Sequence, residues 1–81
     1  METVEGAIVF RNRMGKTTLI KVETADKETR TLCFTRESLG DPEYEVVGRL
    51  DLDERIRAEV VPAPKAWREP GVVDVRSFQR V

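Results

Sequence analysis

Residues 4–36 contain three runs in which apolar and polar side chains alternate, separated by turns of only a few residues. They read VEGAIVFRN over 4–12, TTLIKVET over 17–24 and RTLCFTR over 30–36. Alternation with period two marks a half-buried strand, and connections this short join antiparallel neighbours. The chain is thereby committed to a three-stranded meander. Gly15, within RMGK, supplies the positive φ that a tight hairpin demands, and ADKET is a second, polar turn. Gly6 reads as a bulge or coil point early in the first strand. On the second strand Ile20 and Val22 take the core side, which turns Leu19 and Lys21 outward; Leu32 and Phe34 share one face of the third.

The remainder adds one helix and two strands. Asp41-Pro42-Glu43 has the form of a helix start, with Asp41 as N-cap, Pro42 at the first helical position and an acid in the first turn. Tyr44, Val47 and Leu50 then recur along one stripe; alternation over 44–52 also fits a strand, but the Asp-Pro head favours the helix. RIRAEVV, residues 55–61, is a fourth strand with Ile56, Ala58 and Val60 inward. Residues 62–71, PAPKAWREPG, hold three prolines and a glycine and are irregular, and 72–80 form the last strand. Phe10, Phe34 and Phe78 are assigned to the core. The order β-β-β-α-β-β, with a first strand long enough to pair at both ends, is that of a five-stranded Greek-key barrel, the OB-fold: all-β with one short helix. Residues 1–81 are read as a single such domain.

Composition removes several functions. Cys33 is the single cysteine, so an internal disulfide is impossible, and with no histidine a zinc site is not expected. Cys33 is read as a small apolar side chain rather than a reactive thiol. No apolar run approaches a membrane span and METVEG is not a secretory leader, so a cytoplasmic setting is expected. The letters GKT at 15–17 suggest a nucleotide-binding loop, but the first glycine of that motif would fall on Phe10 and a strand follows where a helix is required. DLDE, residues 51–54, lacks the glycine and spacing of a calcium loop and is a solvated turn. No catalytic constellation is present and no cofactor is implied; the chain reads as a binding module, not an enzyme.

Net charge is −1, from fourteen basic and fifteen acidic side chains, yet its distribution is uneven. Residues 11–21 carry Arg11, Arg13, Lys16 and Lys21 and no acid, whereas acids dominate residues 37–59. Basic residues on strands and hairpins either track a polyanion or keep edges soluble and unpaired, and both accounts fit.

The whole frame resembles the N-terminal anticodon-binding OB domain of the class II aspartyl-, asparaginyl- and lysyl-tRNA synthetases. The resemblance rests on Gly6 early in strand one, Arg13 before the first turn, TLIKV, RTLCF, and PEYEVVGRL leading into DERIRAEVV. A proline-containing loop closed by glycine then runs into VVDVRSFQRV. It covers roughly residues 4–81 and includes no catalytic synthetase motif. It implies that the open face of strands one to three reads bases. The position of the family's stacking aromatic falls on Leu19, and that of its base-reading glutamine on Thr31 or, with a shifted register, Cys33. Glu59 stands where the family has a strand-four glycine.

These readings give a non-catalytic OB module for single-stranded nucleic acid, RNA or tRNA foremost. Its site would comprise Arg11, Arg13, Lys16, Leu19, Lys21, Arg30 and Thr31, with Lys65, Trp67 and Arg68 from the loop. Trp67 either stacks on a base or folds back to plug the barrel end. The alternative is a protein–protein module, favoured by the near-neutral charge and the missing stacking aromatic.

Overall fold

The computed structural model describes residues 1–63 and 71–81. Its strands are β1 (Glu2–Met14), β2 (Thr17–Glu23), β3 (Thr29–Thr35), β4 (Arg55–Pro62) and β5 (Val73–Arg80). They close into a barrel in the order β1-β2-β3-β5-β4. Two short helices, α1 (Arg36–Leu39) and α2 (Asp41–Val47), fill the connection from β3 to β4, where one helix was expected. β1 does pair at both ends: Glu2–Ala7 against β4 and Ala7–Met14 against β2. The barrel is closed by a parallel contact of β3 with β5, Leu32 opposite Val73 and Cys33 opposite Asp74. No helix among the described residues is long and apolar enough to cross a membrane.

Alternation sets the core. Ile20, Val22, Leu32, Phe34, Ile56, Ala58 and Val60 all face inward and are buried, as are Tyr44, Val47 and Leu50 from the helical connection. Phe78 packs edge-on against Phe34, with ring centroids 5.4 Å apart. The Tyr44 hydroxyl, which would otherwise be an unsatisfied buried group, is paired with Thr18 Oγ1 at 3.0 Å. The hairpin between β1 and β2 turns on Gly15 at φ 64°, as its sequence requires.

Two local expectations are corrected. Asp41 is not the N-cap of its helix; Gly40 holds that place at φ 84°, and Asp41 instead meets Arg36 at 3.4 Å. The side-chain cap belongs to α1, where Thr35 Oγ1 accepts from the Ser38 amide at 3.1 Å. Gly6 is not a bulge either. It pairs regularly with Ile56, and its glycine is needed because an added Cβ would collide with the Glu23 carbonyl, whose carbon lies 2.8 Å from that position.

The bulge lies three residues on. Ile8 pairs with Val22 and Phe10 with Lys21, so Val9 is an extra residue in β1. One inserted residue resets the alternation of everything beyond it. Phe10 therefore leaves the core to which its sequence position assigned it and is 45% exposed on the outer surface.

Candidate nucleic-acid interface

Cross-strand partners point to the same side of a sheet, so the register defines the outer face of β1–β3 row by row. Phe10, Lys21 and Thr31 make one row; Asn12, Leu19 and Cys33 the next; Met14, Thr17 and Thr35 the third. Phe10 and Met14 are exposed, Leu19, Lys21 and Thr31 half-buried, and Cys33 is closed off. Of the two positions expected to read a base, only Thr31 is thus open to a ligand. The Lys21 ammonium lies 5.5 Å from the centroid of the Phe10 ring, a cation–π distance. The surface is a shallow platform of one aromatic ring, two flexible apolar side chains, an amide, hydroxyls and one ammonium group. Among the described residues it holds no nucleophile–base pair.

The bulge also decides where the early arginines go. Arg11 pairs with Ile20 and Arg13 with Thr18, both core-side positions of β2, so these two leave the strand on the side opposite the platform. There Arg11 Nη2 donates to the Gly48 carbonyl at 3.2 Å, and the Arg13 guanidinium lies 5.7 Å from the Tyr44 ring centroid. The expectation that Arg11, Arg13, Lys16 and Lys21 belong to one site face is corrected accordingly: the hairpin carries its cations on both sides. Lys16, in the turn, lines a hollow of about 340 Å³ with Thr17, Thr35, Arg36 and Glu37.

Among the described residues the cations fall into two sets. Arg30, Arg36, Arg55, Arg57, Arg76 and Arg80 each lie within 4 Å of a carboxylate. Arg11, Arg13, Lys16 and Lys21 form no such pair, and neither do Lys27 and Arg49 elsewhere on the chain. Arg30, expected in the binding face, holds Glu2 in a two-pronged contact of 2.9 and 3.0 Å at the far mouth of the barrel. The hydrogen bonds from Arg30 push the Glu2 carboxyl below its ordinary value and raise Arg30 in return. Glu5 is lowered likewise, chiefly by its hydrogen bond from Arg57, with Arg55 adding to it.

The structure therefore brings Leu19, Lys21 and Thr31 together, puts Lys16 at their hairpin end, sends Arg11 and Arg13 to the reverse side and ties Arg30 elsewhere. Lys65, Trp67 and Arg68 lie outside the described residues. Sequence reasoning missed Phe10, Asn12 and Met14. The available signal was the uninterrupted apolar run Ile8-Val9-Phe10 inside an alternating strand, a break in period that a bulge explains.

This closed five-stranded barrel, with its helical connection between the third and fourth strands, is an OB-fold. No family model and no curated protein sequence matches the chain. Among solved structures it is similar to asparaginyl-tRNA synthetase from Pyrococcus horikoshii, complexed with asparaginyl-adenylate, with a TM-score of 0.79 at 15% identity. That match covers 98% of this chain but only 18% of the synthetase. A chain of the S. pombe Stn1-Ten1 complex aligns over 98% of this chain and 56% of its own length, with a TM-score of 0.78 and 9% identity. An OBody bound to hen egg-white lysozyme aligns over 98% and 78%, with a TM-score of 0.74 and 13% identity. At these identities the likeness is one of fold.

Proposed function

We propose that this chain is a non-catalytic module that seats a short single-stranded segment of nucleic acid, RNA or tRNA foremost, across the β1–β3 face. The observation that carries the reading is the partition of charge. Among the described residues the cations of the β1–β2 hairpin, Arg11, Arg13, Lys16 and Lys21, form no carboxylate pair, while the cations beyond it, Lys27 and Arg49 apart, are neutralised within the fold. Phosphate contacts by such cations release counterions and supply sequence-independent affinity. The platform, which carries Lys21, offers splayed bases apolar packing at Phe10, Leu19 and Met14 and hydrogen-bonding groups at Asn12 and Thr31.

A second reading is a protein partner docked on the same face. It is favoured by the exposure of Phe10 and Met14 on a chain of net charge −1, and by the OBody that holds lysozyme. Titration of labelled single-stranded RNA, tRNA and single-stranded DNA at low and moderate salt separates the two. Binding that tightens as salt is lowered, with RNA at least as tight as DNA, is the expected result. Absence of binding at low salt overturns the nucleic-acid reading and leaves the protein partner.

A further inference from the structure

The geometry points to Phe10, on β1, as the base-stacking residue of this face, in place of the Leu19 position on β2. The inference rests on the nucleic-acid reading above and deepens it. Leu19 is half-buried between Asn12 and Cys33 and has no π-face. Phe10 is a full aromatic ring, 45% exposed, whose face is turned toward the Lys21 ammonium at 5.5 Å.

Its exposure has a specific structural origin. Were Val9 an ordinary paired residue instead of a bulge, strict alternation from Ile8 would carry Phe10 inward, where its ring would compete with Ile20 and Val22 for the barrel interior. The bulge interrupts the β1–β2 ladder and leaves a large apolar ring half in water, an arrangement that the core does not need. Charge complementarity selects the occupant: the Lys21 ammonium lies over the ring and has no carboxylate partner among the described residues. A planar, electron-poor base on an anionic backbone fits both elements, with the ring taking the base and Lys21 taking a flanking phosphate.

The two contributions are separable by salt. Stacking is independent of ionic strength, whereas each phosphate contact to a single strand contributes about 0.7 to the slope of log affinity against log salt. Binding of a short fluorescein-labelled oligouridylate is measured across a salt series for the wild type and four variants. Phe10→Ala and Phe10→Leu are expected to weaken binding about 5- to 150-fold, the range that a base–aromatic stack carries, with the slope unchanged. Phe10→Tyr keeps a ring and retains affinity. Lys21→Gln flattens the slope by about 0.7. Phe10→Leu preserves apolar cover, so its loss of affinity is not a loss of folding. In a Trp67→Phe background, Phe10→Trp adds a direct probe: its fluorescence is quenched as the oligonucleotide binds. If the wild type binds but Phe10→Leu binds equally well and the introduced indole is not quenched, Phe10 is not the platform and the broader reading stands. A wild type that fails to bind at low salt sinks both.

Discussion

The two halves of β1 belong to one continuous strand and do opposite things with charge. From Glu2 to Ala7 it pairs with β4, and its acids are consumed by arginines: Glu5 by Arg57 at 2.9 Å and Arg55 at 3.5 Å, Glu2 by Arg30. From Phe10 to Met14 it pairs with β2 and carries two arginines with no carboxylate, an exposed ring and an exposed thioether. The first half satisfies itself. The second leaves its interactions open, and the boundary is the single residue Val9. The bulge at Val9 thus marks the division between a stretch that closes the barrel and one that also offers a surface.

The largest effect is expected where the halves meet. Gly6→Val places a branched side chain against the Glu23 carbonyl, which belongs to backbone and cannot swing away. Forcing the two strands apart should lower stability by about 1–3 kcal/mol, read as a reduced urea midpoint with an unchanged denaturant slope. A midpoint equal to wild type would mean that β1 and the end of β2 do not approach as closely as described. It would also undo the register on which the platform depends.

Gly6 shows what the sequence could and could not reveal. The five strands, the inward set Ile56, Ala58 and Val60, the stripe Tyr44, Val47 and Leu50, and the Gly15 hairpin were all legible, because each follows from period or from local backbone preference. Gly6 was recognised as special for the wrong reason: its role depends on a residue seventeen positions away, and no local pattern encodes that approach. Phe10 was misassigned because alternation was extended through a bulge. The same error hid the orientation of Arg11 and Arg13, since their side of the strand is fixed by register with Ile20 and Thr18. The engagement of Arg30 by Glu2 joins residues 28 apart and was equally out of reach. The residues expected to share one face are divided by the structure: Leu19, Lys21 and Thr31 lie together on it, while Arg11, Arg13 and Arg30 do not.

An intermediate effect tests the charge contrast directly. The double change Arg11→Gln/Arg13→Gln should flatten the salt dependence of oligouridylate binding by about 1.4 in log–log slope if both arginines meet phosphate, at about 0.7 each. The matched change Arg55→Gln/Arg57→Gln removes two arginines that already hold Glu5 and should leave the slope untouched. Equal flattening in both would show a response to net charge alone and erase the distinction between the halves. No flattening in the first would confine the ligand to the platform side, since Arg11 and Arg13 leave β1 on its reverse.

The smallest effect concerns the contact that seals the first half. Because Arg30 holds the Glu2 carboxyl below its ordinary value of 4.5, ionised Glu2 favours the folded state. The contribution is complete above the unfolded-state value and disappears as pH falls through the lowered folded one. Both side chains are partly in water, at 27% and 53% exposure, so the pair is worth on the order of a few tenths of a kcal/mol. Glu2→Gln should therefore lower the urea midpoint slightly near neutral pH, and the gap from wild type should close below about pH 4.5. A gap that persists in acid would assign the loss to packing rather than to charge. The same variant releases Arg30 without moving it onto the platform, because Arg30 sits opposite Val22 in a core-side row. Oligouridylate binding should keep its wild-type salt slope; a steeper one would show that the Glu2–Arg30 mouth belongs to the interface and that the self-satisfied half of β1 is held in reserve.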